Sequence, residues 1–243
     1  MGRNVLECLN NDEETVCVGG VDKFADPTSF NVPVFADSSE INVDVDVIID
    51  FSRPDALEPM LDFAKAHNCR VVIATTGHSV EQQSLIGKAS EEIAIFKTSN
   101  LSLGVNLMTA LCRKAAQFLG DNYDIEVVEA HHNLKVDAPS GTALSIAKAI
   151  NEEYDNQKKF VYGRHSSNER RSKNEIGMHS IRGGTIVGKH EAMFIGTDEI
   201  ITISHEADSK MVFAVGAIKA TKYIINHSAG LHDMQDLVAE IME

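Results

Sequence analysis

VDVDVIID, residues 43–50, alternates apolar and acidic side chains and then turns continuously apolar. A period of two is the signature of a strand, and the β-branched run that follows suits one buried on both faces. Three other runs share this character: TVCVG at 15–19, RVVIAT at 70–75 and IAIFK at 93–97. Between them lie two stretches of helical periodicity. One is PDALEPMLDFAKAHN, with Pro54 near its start; the other is SVEQQSLIGKASEE, opened by Ser79 as an N-cap. Strands alternating with helices predict right-handed crossovers and a parallel sheet covered on both faces. Such sheets take their ligands at the carboxyl ends of the strands. Upstream of the TVCVG strand, MGRNVLECLNN reads as a helix.

After residue 100 the pattern changes. A long helical stretch, NLSLGVNLMTALCRKAAQFLG, is followed by the strand DIEVVEAHH, a polar loop and the helix TALSIAKAINEEY. Three strand candidates then come close together, GMHSIRGGTIVG, HEAMFIG and EIITISHEA, joined by Gly-containing turns that suggest an antiparallel or mixed sheet. The helix FAVGAIKATKYIIN leads into a short helical tail. The fold class expected is α/β, a Rossmann-type dinucleotide-binding domain over 1–102 completed by 212–243, with an α+β domain over 103–211.

Composition narrows the function. The 243 residues are 43% hydrophobic and 24% charged, as in a soluble globular protein. The formal net charge of −14, with no Lys/Arg block to offset it, speaks against nucleic acid and anionic membranes as partners. Cys8, Cys17, Cys69 and Cys112 stand singly with no metal-ligand spacing, as structural thiols of a reducing compartment do. With no apolar run long enough to span a bilayer and no basic-then-apolar start, a cytoplasmic location is expected.

In a dinucleotide-binding fold, an acidic residue about 20 positions beyond the phosphate loop bonds the adenosine ribose. Asp22 stands 20 positions after Gly2, at the end of a strand candidate, and fits a loop whose last residues are Met1 and Gly2. Lys23 beside it could meet the extra phosphate of NADP, although an Asp-Lys pair after a strand is equally a solvated turn. Ala74, Thr75 and Thr76, and then Thr98, Ser99, Asn100 and Leu101, occupy two further strand ends. Short side chains there let a backbone approach a ring, and two such turns on successive strands reinforce each other.

EAHHNLKVDAPSGTAL, residues 129–144, carries the chemistry. Ser140 is an N-cap, so the first free N–H groups of the next helix, with the Thr142 hydroxyl, offer a carboxylate or phosphate site where Gly141 leaves room. A capped helix that holds only water is the blander reading of that tripeptide. His131 and His132 are adjacent, so on a strand their rings face opposite ways and do not share a metal; no metal site is expected. A histidine titrating near neutrality suits a proton donor, and Lys135 suits a charge that holds an anion or assists protonation.

This stretch resembles the signature of the dihydrodipicolinate reductase family. The resemblance extends over nearly the whole chain, through MGRNVLECL, DFSRP, ATTG, TSNLSLGVN and HSIRGGTIVGKHEAMF. It implies hydride transfer from NADH or NADPH to a cyclic dicarboxylate imine on the diaminopimelate route to lysine. On that likeness His131 matches the proton donor and Lys135 the second catalytic residue, while His132, Gly141 and Thr142 match the substrate-binding groups. Nicotinamide and ribose contacts would fall on Ala74 to Thr76 and Thr98 to Leu101, with Asp22 and Lys23 near the adenosine. The second domain would bind substrate and build a homotetramer. Ala74 stands where the family usually has Gly, and Val215 where Asn is common. The family's Gly-x-x-Gly-x-Met-Gly loop is represented only by Met1 and Gly2, which predicts that the first strand is missing. Two other readings are a shortened, catalytically silent chain that only assembles, and a reductase of another cyclic imine.

Overall fold

The computed structural model describes residues 1–242. The chain opens with α1 (Gly2–Asn10), β1 (Gly20–Val21), β2 (Val34–Phe35), β3 (Val47–Asp50), α2 (Leu57–His67), β4 (Arg70–Ile73), α3 (Val80–Ala89) and β5 (Ala94–Lys97). It continues through α4 (Leu103–Leu119), β6 (Asp124–His131), α5 (Gly141–Glu152), β7 (Lys159–Tyr162), β8 (Glu175–Arg182), β9 (Gly188–Ile195) and β10 (Ile200–Ala207). It closes with α6 (Met211–Ile224), β11 (Gly230–His232) and α7 (Met234–Met242). Two compact units result, Met1–Leu103 with the described part of Met211–Glu243, and Gly104–Lys210.

The first unit is built on a parallel sheet of order β11-β5-β4-β3. Side chains alternate along each strand, so the sheet has two apolar faces. Val71, Ile73 and Ile95 pack under α2 and α3 with Leu57, Leu61, Ala64 and Ile86. Val72, Ala94 and Phe96 meet Ala217, Ala220, Ile224 and Leu237 of α6 and α7. At the start of α3, Ser79 accepts the Gln82 N–H and Gln82 reaches back to the Ser79 N–H, a complete capping box. α2 stops at Asn68, in the left-handed conformation that terminates helices.

The strand expected over Thr15–Gly19 is shifted. Only Gly20–Val21 pairs, parallel to Val34–Phe35, and Val16 and Val18 remain exposed with no covering layer. The alternating half of VDVDVIID also lies outside the ladder, which begins where Val47 meets Arg70. β7 and β11 were not foreseen: each is short, and each earns its place by pairing with a longer or more buried neighbour.

The second unit holds one mixed sheet of order β10-β9-β6-β8-β7, in which β6 pairs parallel to β8 and antiparallel to β9. One face packs beneath α4 and α5: Ile125, Val127, Ile176, Met178, Ala192 and Phe194 meet Met108, Cys112, Ile146 and Ile150. Burial pushes the Cys112 thiol up to about 12, so it remains a neutral, inert packing group. Among the described residues no helix is long and apolar enough to cross a membrane.

Candidate active site

Residues 125, 127, 129 and 131 of β6 share the helix-covered face, and along it the chemistry changes. The first two are apolar core, and the last two are Glu129 and His131, both buried. Strand register extends the polar level sideways. Glu129 lies opposite Ser180 of β8 and His190 of β9, and His190 lies opposite His205 of β10. One step further along, His131 lies opposite Arg182. The carboxyl end of β6 therefore carries a polar cluster drawn from four strands.

Glu129 is its hub. Its Oε2 accepts from His131 Nδ1 at 2.6 Å and from Arg182 at 2.8 Å. Its Oε1 accepts from Arg182 at 2.7 Å and from the Ser140 N–H at 3.2 Å. Burial opposes ionisation of this carboxyl, but hydrogen bonds from Arg182, Ser180 and His131 and the guanidinium charge outweigh it, holding the group at about 2. Glu129 is thus a fixed anion, and the His131 nitrogen facing it must carry a proton. The other nitrogen, Nε2, looks toward Gly188, where a Cβ would stand 3.1 Å away. Glycine keeps that side of the ring uncrowded.

His190 sits edge-on to His131 with ring centroids 5.2 Å apart, its Nε2 3.0 Å from Ser140 Oγ. Burial pushes its imidazole down to about 4; charges on His131, His205 and Lys135 act in the same direction and Glu129 opposes them. Of two histidines beside one carboxylate, His190 is therefore kept neutral, and His131 makes the direct hydrogen bond to Glu129. His205 is also held down by burial, and it packs where Gly104 of α4 has no side chain to collide with it.

The anion site expected at α5 has the required local form. Ser140 Oγ accepts the Ala143 N–H at 3.2 Å, and the direction in which a Gly141 side chain would project is open space. Gly141 is exposed and Thr142 half-buried. Lys135 lies on the loop between β6 and α5, where its Nζ pairs with Asp137 at 2.8 Å. His132 follows the strand and accepts the Lys135 N–H through its carbonyl at 3.2 Å. The Gly183-Gly184 turn fixes the loop's start: Gly183 N–H donates to the His131 carbonyl at 3.0 Å and Asn133 N–H to the Gly184 carbonyl at 3.2 Å.

In the first unit, Ala74–Thr76 and Thr98–Leu101 follow the carboxyl ends of β4 and β5, as the sequence predicts. Thr75 Oγ1 is buried without a protein partner, and so is His78 Nε2. An orphaned hydroxyl beside the exposed Thr76 and Gly77 suits a bound group with donors and acceptors of its own, such as a nicotinamide carboxamide or a ribose. Asp50 and Lys97 flank His78 electrostatically, and its imidazole is held down chiefly by burial. Leu101 is buried, with its carbonyl against Gly216 of α6, so its side chain is core. Exposed Asp22 directs Oδ1 to the Phe24 and Ala25 N–H groups at 2.9 and 3.2 Å. Lys23 is exposed beside it. At α1, Met1 supplies the capping carbonyl to the Asn4 and Val5 N–H groups, and Gly2 is exposed. Among the described residues no three His, Cys, Asp or Glu side chains are grouped to hold a metal.

Family models match both halves of the sequence: dihydrodipicolinate reductase, N-terminus, over residues 1–101, and dihydrodipicolinate reductase, C-terminus, over 104–238. The chain belongs to the dihydrodipicolinate reductase family. A 4-hydroxy-tetrahydrodipicolinate reductase of Caldanaerobacter subterraneus is 47% identical over 238 residues, covering 98% of this chain and 94% of that one. One from Clostridium novyi is 44% identical over the same lengths. Among solved structures, a dipicolinate-bound dihydrodipicolinate reductase from a Paenisporosarcina species superposes with a TM-score of 0.78. It is 23% identical, and the match covers 96% of this chain and 92% of that one. The dihydrodipicolinate reductases are NAD(P)H-dependent oxidoreductases, and the orphaned Thr75 hydroxyl and the open Gly77 turn fit such a cofactor. Sequence reading missed Glu129, Arg182 and His190. Glu129 was within reach of strand parity, two residues before His131, whereas Arg182 and His190 join only through strand register.

Proposed function

We propose that this reductase converts 4-hydroxy-tetrahydrodipicolinate into tetrahydrodipicolinate with NADH or NADPH, in the cytoplasm, as a step of diaminopimelate and lysine synthesis. The observation that carries this reading is the proton-donor arrangement: His131, paired with an ionised Glu129, beside the open amino end of α5. Its chemistry suits the reaction. The substrate's hydroxyl is replaced by hydrogen, so each turnover takes up one hydride and one proton and releases one water. The bound dinucleotide supplies the hydride.

The protein's own residues do the rest. His131 delivers the proton through Nε2 while Nδ1 stays bonded to Glu129. Gly141 and Thr142 hold one substrate carboxylate with backbone N–H groups at the start of α5, where the helix dipole favours negative charge. Lys135 leaves Asp137 to bind the dianion and support proton transfer, and His132 completes the carboxylate contacts. Ala74 to Thr76 and Thr98 to Asn100 hold the nicotinamide end with short side chains and backbone groups. Leu101 contributes only its backbone. Met1 and Gly2 serve the pyrophosphate as the end of the phosphate loop, and Asp22 and Lys23 serve the adenosine end, which requires the Asp22 carboxylate to exchange a turn contact for a ribose hydroxyl. The chain assembles as a homotetramer through the sheet face of the second unit that α4 and α5 leave uncovered, where Ile181 and Ile200 are more than half exposed.

The test is direct. Purified protein given enzymatically generated 4-hydroxy-tetrahydrodipicolinate should consume reduced nicotinamide in equal amount, and sedimentation should report four chains. Oxidation of cofactor only with a different cyclic imine would replace this substrate, and failure to bind either cofactor would remove the activity.

A further inference from the structure

We propose that Glu129 is the residue that positions the proton donor and couples it to the substrate's carboxylate site, with Arg182 holding it in place. The proposal rests on the function just given, and it adds Arg182 and the link from Glu129 to the start of α5, neither of which that reading uses. Three observations meet on one carboxylate. The Glu129–His131 contact fixes the ring's rotation and tautomer, because an ionised carboxylate only accepts, so the proton must stand on Nδ1. The fork of Arg182 occupies both Glu129 oxygens at 2.8 and 2.7 Å and also donates to the Asp137 carbonyl. The guanidinium therefore ties the carboxylate to the loop that carries Lys135. Finally, Glu129 accepts the N–H of Ser140, the N-cap of α5.

The same carboxylate thus sets the orientation of His131 and the place at which the carboxylate-binding helix begins. Glu129 is 1% exposed and acts only through His131 and Ser140, so it is a positioning residue. The charged and titratable groups around the His131 ring are Glu129 on its own strand, Arg182 on β8, His190 on β9, His205 beyond it on β10, and the Lys135–Asp137 pair on the loop. Of these, Glu129 is the anion in contact with the ring. Removing its charge takes away the anion that the ring faces.

The test compares wild type with Glu129→Gln by steady-state kinetics across pH. The variant keeps the shape and an acceptor oxygen but loses the charge. The expected result is a fall in kcat of about 10- to 100-fold together with a rise in KM for the dicarboxylate, because one of the two oxygens that accept from His131 and Ser140 becomes an NH2 donor. The high-pH limb of kcat should move to lower pH, because a protonated donor no longer faces an anion. An unmoved limb, or kcat unchanged, would overturn the proposal, since a merely structural Glu129 lowers activity without changing the donor's titration. Should Glu129→Gln fail to fold because the half-buried Arg182 has lost its carboxylate, Glu129→Gln with Arg182→Met removes that charge, and its limb is read in the same way. Wild-type turnover and its loss in His131→Ala are measured in parallel. If wild type is inactive or His131→Ala remains active, the functional reading fails, and that result is distinct from an unmoved limb.

Discussion

At the scale of single residues, the proposed function divides the site into groups that touch substrate and groups that hold them. His131→Ala should lower kcat by about 10²- to 10⁴-fold, the usual worth of a positioned proton donor, while NADPH affinity stays within about twofold. Titration of cofactor fluorescence alongside the kinetics checks both, and equal loss of both would assign His131 to folding. Lys135→Ala should lower kcat and also raise KM for the dicarboxylate, because its charge serves the anion as well as the proton; kinetics identical to wild type would exclude it. The sequence singles out these two residues because a titratable ring, a lysine and a helix cap fall within a dozen positions. It does not single out their support. Glu129 looks like any acidic residue entering a strand until Arg182, 53 positions away, is brought beside it.

At the scale of elements, α5 and α6 are the informative pieces. Ser140 caps α5 and also contacts His190, so Ser140→Ala should cost about 1 kcal/mol as a lost cap and weaken dicarboxylate binding by loosening the helix start. Chemical denaturation and KM report the two effects separately, and a change in neither would remove the cap from the site. On α6, a Cβ at Gly216 would overlap the backbone oxygen of Leu101, which a flexible side chain cannot relieve. Gly216→Ala should therefore destabilise by about 2 kcal/mol or more and disturb the Thr98–Leu101 turn, read as weaker NADPH binding in the same preparation. Long elements such as α4, β6 and α5 were readable because their periodicity is set by a core they bury along their length. β1, β7 and β11 were not, since two to four residues carry no period and pair only because a neighbour offers a partner.

At the scale of the whole molecule, buried titratable groups set the response to acid. In the unfolded chain His190 takes a proton near the ordinary value of about 6.5, whereas in the fold burial delays protonation to about 4. Stability is therefore intact above about 6.5 and falls as pH drops toward 4, by on the order of 3 kcal/mol. Glu129 acts later: its contribution is lost as pH falls from the usual carboxylate range toward about 2. Denaturation midpoints should decline between pH 7 and 4 in wild type and less steeply in His190→Gln; parallel curves would place the acid sensitivity elsewhere. Composition spoke only against nucleic acid and anionic membranes as partners, and the division into units follows from chain order. The first unit is interrupted: its sheet lacks the covering of α6 and α7 until residues beyond 211 are joined to it, whereas Gly104–Lys210 is continuous. On the ribosome, then, the stretch that carries the proposed proton donor can bury its core while the dinucleotide-binding half still waits, one apolar face bare, for the last thirty or so residues to emerge. That interval is when a chaperone has most to shield, and synonymous codons that slow translation of α6 should lengthen it.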